Sequence, residues 1–217
     1  MCFSLEASFI SGTVLAVVGM AAIKKTHSIP QAIFAGSPLL FSFQQFSEGF
    51  VWLSITNTEY SSWLKPSATL FLTIAEVIWP IWISLSILLI EKEKINKIIL
   101  SIFFGIGIIV STYLGIHLLT NTILVEKTNY HIYYNFGVPD SIVQVFSVLY
   151  FLSAVMPLFF SSINIKKTAP IGLLILLSYL ISKIYFENYV LSIWCFFAAL
   201  ISVLVYSITF DFQTSKE

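Results

Sequence analysis

The chain consists mainly of long apolar segments, each about as long as a lipid bilayer is thick. A helix that crosses a bilayer needs about 20 mostly apolar residues. These segments lack the alternation of apolar and polar residues that membrane β-strands show. The sequence therefore predicts one all-α domain over residues 1–217, a polytopic bundle of seven transmembrane helices. The predicted spans are approximately 8–23, 31–54, 67–90, 98–120, 141–160, 170–187 and 189–210.

The composition agrees with a protein surrounded by lipid. Of the 217 residues, 58% are hydrophobic and only 10% are charged, whereas soluble domains carry about 25% charged residues. The formal net charge is zero, and all eleven basic residues are lysine. Without arginine or a basic patch, nucleic-acid binding has no support. The expected partner is the lipid bilayer, with a small molecule, an ion or a proton as ligand, while neither a cofactor nor an oligomeric state can be predicted.

Three of the predicted spans contain irregular features. The sixth is short and carries Lys183, which an i,i+4 pairing with Glu187 would neutralise, so a re-entrant or interfacial segment is the alternative there. Pro38 and Pro80 fall inside spans two and three, where the loss of a backbone donor predicts kinks. Residues 121–139 form the one long loop between spans.

The distribution of lysines predicts the orientation of the chain. Cytoplasmic loops of membrane proteins carry an excess of lysine and arginine. Three lysines fall on one set of loops: Lys65, Lys127 and Lys183. The opposite set holds eight: Lys24, Lys25, Lys92, Lys94, Lys97, Lys166, Lys167 and Lys216. The N-terminus is therefore expected outside and the C-terminus in the cytoplasm, which requires an odd number of spans.

This topology places the polar residues of the spans in the outer half of the membrane. Intramembrane carboxylates cost roughly 2.5–3.5 kcal/mol on insertion scales, so Glu48 and Glu76 should face the bundle interior. Gln44 and Glu48 share a helix face because they are four residues apart. A ligand or proton site is therefore predicted in the outer half of the membrane, of the binding or transport type. Its candidate residues are Gln44, Gln45, Glu48, Glu76 and His117.

Two other interpretations of the same residues remain open. His117 and His131 could complete a metal site with Glu48 and Glu76, since zinc binds imidazole and carboxylate, and the protein would then be a membrane-embedded hydrolase. Neither histidine belongs to a recognised metal-binding spacing. Alternatively, the glutamates and glutamines hold helices together by hydrogen bonds, as expected of a structural subunit.

The two cysteines, Cys2 and Cys195, are both predicted on the outer side. In an oxidising compartment they could form a disulfide that ties the N-terminal segment to the last span. Two unpaired small hydrophobic residues are the alternative.

Several motifs resemble those of an uncharacterised family of bacterial multi-pass membrane proteins. The chain opens with MCFSxxASF from Met1, continues with PLLFxxQQxxEGxxW from Pro38 and AExxWP from Ala75, and later contains SxWCFFAA from Ser192. The resemblance implies a multi-pass protein of a bacterial inner membrane and supplies no activity. It also implies one recurrent set of residues, namely Cys2, Gln44, Glu48, Glu76, Trp194 and Cys195.

Overall fold

The protein is described here by a computed structural model, which is mostly helical. The structure describes residues 4–128, 131–161, 165–186 and 189–209, with the side chains of residues 140 and 165–167 excepted. In this part of the chain the α-helices are α1 (Leu5–Ile23), α2 (Ile29–Ala35), α3 (Ser37–Thr56), α4 (Leu64–Leu72), α5 (Trp79–Ile90), α6 (Lys94–Thr120), α7 (Asp140–Ala154), α8 (Ile165–Tyr185), α9 (Val190–Ser202) and α10 (Val205–Thr209). Short 3₁₀ segments occupy Thr58–Trp63 and Met156–Phe159, and Thr73–Ile78 is a π-helix.

Six helical segments in the described part of the chain are long and apolar enough to cross a membrane. They are Leu5–Ile23, Thr58–Ile90, Lys94–Thr120, Ser141–Phe159, Thr168–Tyr185 and Val190–Thr209. The predicted sixth span is among them, so its length and composition suit a crossing despite Lys183. Apolar side chains on the outer faces of these helices, such as Ile10, Ile109 and Ile116, are exposed, as expected of surfaces that contact lipid.

The predicted second span, 31–54, is interrupted at Gly36, close to the kink predicted at Pro38, and it is not among the six segments named above. The helical path changes at Gly36, between α2 and α3. Pro38 has no N–H to donate to the carbonyl of Phe34. The hydroxyl of Ser37 donates to that carbonyl instead, at 2.9 Å. The proline therefore lies in the first turn of a new helix, where its missing donor costs little.

Helix α3 packs against α1 along its whole length. The two helices approach closely because glycines face aromatic or aliphatic side chains. Gly12 and Gly49 lie against the rings of Phe46 and Phe9, respectively. Ser42 also donates from its hydroxyl to the carbonyl of Gly12 at 2.7 Å. Small residues and interhelical hydrogen bonds are the usual means of helix association in membranes.

The long loop contains a β-hairpin, which the sequence analysis did not predict. Strands β1 (Leu124–Thr128) and β2 (His131–Asn135) are antiparallel, with Thr128 opposite His131. Ile132 of β2 is buried against Val51, Trp52 and Ala68. The hairpin therefore packs on the bundle, at the end where α3 finishes and α4 begins. This end is called the hairpin end, and the opposite one, which carries Lys24, Lys25, Lys92 and Lys94, the lysine end.

Candidate functional site

The polar face of α3 forms hydrogen bonds with three neighbouring helices. Trp79 at the start of α5 donates from its indole N–H to Gln44 Oε1 at 2.7 Å. Ser11 of α1 donates to Gln45 Oε1 at 3.1 Å, and both glutamines are fully buried. The expectation that Gln44 and Gln45 orient a ligand gains no support from this placement, because their oxygens bind other helices.

Glu48 continues this face one turn further along α3 and is fully buried. The hydroxyl of Ser192, on α9, donates to Glu48 Oε1 at 2.5 Å. Cys195 lies one turn along α9, beside the amide of Gln44, and interacts electrostatically with both Glu48 and Glu76. Cys195 therefore lies near both glutamates, which come from different helical segments.

Glu76 lies in the π-helical segment that precedes Pro80. In this segment the N–H of Trp79 donates to the carbonyl of Ile74, five residues back. The carbonyl of Ala75 is then without a helical donor, since the next residue is Pro80, which has no N–H. Tyr150 of α7 donates its phenolic O–H to this carbonyl at 2.5 Å. The irregular backbone that carries Glu76 is thus held by a side chain from another helix, and π-helical turns are frequent at functional sites.

Replacing Tyr150 by phenylalanine should lower the stability of the protein. The change leaves the Ala75 carbonyl buried without its donor, which costs about 1–3 kcal/mol. Tyr113→Phe is the matched control, because Tyr113 packs on Phe146 with ring centroids 4.0 Å apart and is half-buried. Thermal unfolding of both variants in detergent checks this. Equal midpoints would contradict a structural role for the Tyr150 hydroxyl.

A cavity of about 310 Å³ lies between the π-helical segment and the hairpin. Its walls come from the π-helical segment, from β2 and the segment after it, and from α6, α7, α8 and α9. Glu76 is the one carboxylate, and Lys183 the one amine, among the described residues that line it. Glu48 does not belong to this lining. Of the two predicted glutamates, Glu76 is therefore the one that a ligand in the cavity would meet.

The cavity is deep at Glu76 and open near the hairpin end. The lining residues at its rim are exposed: Asn135 at the end of β2, Val143 and Ser147 on α7, and Lys183 on α8. Tyr150 lies ten residues into α7, about 15 Å along the helix at 1.5 Å per residue. It interacts electrostatically with Glu76, so the carboxylate lies at a similar depth.

The two predicted metal-binding histidines lie apart from this cavity. His117 is near the end of α6, where its ring packs on Tyr113 at 4.6 Å between centroids and Nδ1 contacts the Asn121 amide at 3.3 Å. His131, on β2, stacks on Tyr189 at 4.9 Å, and burial lowers the pKa of its imidazole. Within the described ranges no three His, Cys, Asp or Glu residues are grouped so that they could hold a metal ion. The predicted site of His117, His131, Glu48 and Glu76 is therefore not assembled here.

Cys2 lies outside the described residues, so the predicted disulfide with Cys195 remains a prediction; Cys195 itself is buried. Glu187, the predicted partner of Lys183, also lies outside them. Sequence reasoning missed Tyr150 and the hydroxyl of Ser192. It also missed Tyr179 of α8, which lines the cavity. The SxWCFFAA motif contained a signal for Ser192, whereas nothing distinguished Tyr150 from the other tyrosines.

Comparison with known proteins identifies a family without supplying an activity. Residues 1–216 match the model of a family of unknown function, DUF6629. The chain therefore belongs to this family, in agreement with the expected resemblance to an uncharacterised group. No curated protein and no solved structure matches the chain.

Proposed function

We propose that this chain is a small-ligand binding or transport-type protein of a bacterial inner membrane, with Glu76 as the charged group of its binding site. The ligand enters the cavity from the hairpin end and meets Glu76 at its inner end. Glu48, Gln44 and Gln45 lie outside the cavity lining and hold α3 against the helices around it.

The proposed topology has seven spans with the N-terminus outside. Six spans are the segments named above, and α2 and α3 together supply the remaining one, which is second in chain order. α3 has 20 residues and packs along α1. Its polar face makes α3 less apolar than the other helices, yet that face is turned inward, with Gln44, Gln45 and Glu48 buried. The excess of lysines at the lysine end supports a cytoplasmic location for that end, which puts the cavity mouth on the outer side.

One observation carries the proposal: Glu76 borders a cavity rather than a packed interface. A carboxylate at this depth is costly unless a proton, an ion or a ligand compensates it. Concave, mostly apolar pockets of about 300–1,000 Å³ with a few polar groups are typical ligand sites. The cavity is at the lower end of this range, which suits a small ligand.

The test compares Glu76→Gln with Glu48→Gln in purified protein. A set of small amines, carboxylates, neutral polar molecules and metal ions is screened for compounds that raise the thermal unfolding midpoint. Saturating ligand stabilises by about 2.7 kcal/mol at 100 times Kd, which corresponds to a shift of roughly 5–10 °C for a chain of this size. We expect at least one compound class to stabilise the wild type and Glu48→Gln but not Glu76→Gln.

Glu48→Gln is the matched control because it makes the same chemical change on a carboxyl outside the cavity. Each variant's shift is measured from its own unliganded midpoint, so a difference in basal stability does not affect the comparison. The proposal is wrong if no compound stabilises the wild type, or if every stabilising compound acts equally on Glu76→Gln.

A further inference from the structure

Nearly half of the residues that line the cavity are aromatic. Eight of its seventeen described lining residues are Phe, Tyr or Trp. Three of these rings form a connected row: Tyr150 meets Trp194 with centroids 5.7 Å apart, and Trp194 meets Tyr179 at 5.2 Å, both edge to face. Tyr150 is next to Glu76, and Tyr179 is one helical turn from Lys183. The row therefore runs from the inner carboxylate toward the rim.

The side chains that line the cavity do not suit a bare metal ion. Calcium takes six to eight oxygen ligands, and magnesium requires nearly octahedral oxygen coordination. The described lining supplies one carboxylate, with aromatic rings and aliphatic side chains around it. A cavity of about 310 Å³ is also far larger than one dehydrated ion requires.

The same groups suit an organic cation. Aromatic faces attract ammonium groups through the negative potential of the ring, by about 0.5–1 kcal/mol at exposed sites and about 2 kcal/mol or more when the cation is desolvated. A carboxylate beside such rings adds a charge-assisted hydrogen bond. An ammonium would also offset the cost of keeping a carboxylate at the depth of Glu76.

We propose that the cavity binds a small organic ammonium compound with an apolar body, its charged nitrogen at Glu76 and its body against the row of Tyr150, Trp194 and Tyr179. This inference rests on the proposed function, because it names the ligand class for the Glu76 site. Glu76 sets the direction, because it is the one carboxylate among the described lining residues and lies at the inner end.

The ammonium group could belong to a free amine or to the amino headgroup of a lipid. Val143 and Ser147 are one helical turn apart on α7 and are both exposed at the rim. The opening therefore extends down the side of α7, and an apolar body longer than the cavity could pass through it. The chemistry at Glu76 is the same for both sources.

The experiment measures the binding of three probes of similar shape and different charge to the full-length protein in detergent. Phenethylamine is the cation, 2-phenylethanol the neutral analogue and 3-phenylpropionate the anion. Binding is followed by tryptophan fluorescence and by the thermal unfolding midpoint. We expect phenethylamine to bind at least about tenfold more tightly than the other two, with this preference lost in Glu76→Gln and kept in Glu48→Gln.

A second variant keeps the test informative if Glu76→Gln folds poorly. Tyr179→Leu removes one aromatic face and leaves the carboxylate in place. It removes part of the wall against which the apolar body lies, so phenethylamine and 2-phenylethanol should both bind roughly twofold to tenfold more weakly, in line with the loss of one aromatic contact. The preference for phenethylamine over 2-phenylethanol should remain.

A further measurement distinguishes the two sources of the ammonium. The protein is placed in nanodiscs of phosphatidylglycerol, with or without added phosphatidylethanolamine. Weaker phenethylamine binding in the presence of phosphatidylethanolamine assigns the site to a lipid headgroup, and unchanged binding assigns it to a free amine; both results support the ammonium. Tighter, Glu76-dependent binding of the alcohol or the anion overturns the ligand class and leaves the proposed function standing. If no compound in either experiment depends on Glu76, the proposed function fails as well.

Discussion

Replacing Gly107 with alanine is expected to cause a large loss of stability, because α6 crosses α5 at this residue without room for a side chain. A Cβ atom at Gly107 would overlap the carbonyl oxygen of Pro80 and would lie 2.9 Å from its carbonyl carbon. Both are backbone atoms and cannot rotate away. Ser153 of α7 also packs here, with its Cβ 3.4 Å from the same position. Overpacking of this kind typically costs about 1–3 kcal/mol, and a clash with rigid backbone belongs at the upper end.

Gly105→Ala is the matched control for this prediction. Gly105 lies on the same helix, two residues earlier, and a Cβ there would meet nothing within 4 Å. Alanine is a better helix former than glycine by about 1 kcal/mol, so this variant should keep or raise the unfolding midpoint. The two midpoints are compared by thermal unfolding in one detergent. Equal behaviour of the two variants would show that α6 and α5 do not approach as closely as the structure places them.

The effect of Gly107→Ala should extend to the binding site. Pro80 lies two residues after the π-helical segment that carries Glu76. Ser111, one turn after Gly107, donates its hydroxyl to the carbonyl of Val77 at 2.6 Å. Pushing α6 away from Pro80 would therefore strain this bond and change the position of Glu76. Ligand-induced stabilisation should fall in Gly107→Ala and stay normal in Gly105→Ala.

The apolar segments could be recognised from the sequence because a spanning helix is defined by length and hydropathy, both of which are properties of a local stretch. The break at Gly36 could not be predicted from a local stretch alone. Pro38 predicted an irregular helix, but whether it bends or starts a new helix depends on which group takes the carbonyl of Phe34. Ser37 does so. The hairpin was missed because its stability depends on Ile132 packing against Trp52 and Ala68, residues more than 60 positions away in the chain.

The candidate site could also be predicted only in part. Glu48 and Glu76 could be identified because a carboxylate within a membrane is costly wherever it occurs. Their different surroundings could not be predicted, since they depend on which residues of α7 and α9 lie opposite. Tyr150 binds the backbone beside Glu76, whereas Ser192 binds Glu48 itself. A hydroxyl in a spanning helix is ordinary by composition, and its partner is known only once the helices are packed.

Glu48→Ala is expected to destabilise the protein by about 2–4 kcal/mol while leaving the cavity lining unchanged in composition. The variant removes a fully buried side chain and the acceptor of the Ser192 hydroxyl, which becomes a buried donor without this partner. Glu48→Gln should cost less, because glutamine has almost the same volume and keeps an acceptor oxygen. The free energy of unfolding is measured in mixed micelles by titrating the protein with a denaturing detergent.

A double-mutant cycle then isolates the bond between α3 and α9. Glu48→Ala, Ser192→Ala and the double variant should show a coupling of about 0.6–1.7 kcal/mol, the average and the maximum that double-mutant cycles give for hydrogen bonds between membrane helices. Ser86→Ala replaces Ser192→Ala in the control cycle. Ser86 is also fully buried, but its hydroxyl donates to the carbonyl of Ile83 in its own helix, at 2.9 Å. Glu48 and Ser86 should therefore be additive within about 0.5 kcal/mol.

The cycle also separates the two roles that the sequence assigned jointly to Glu48 and Glu76. If Glu48 holds α3 to α9, its coupling to Ser192 is large, and ligand binding responds to its loss only through stability. If Glu48 binds ligand directly, Glu48→Gln abolishes the ligand-induced shift even though the acceptor for Ser192 is retained. A coupling near zero between Glu48 and Ser192, together with the loss of the ligand-induced shift in Glu48→Gln, would assign the binding role to Glu48. The contact with Ser192 would then contribute nothing to stability.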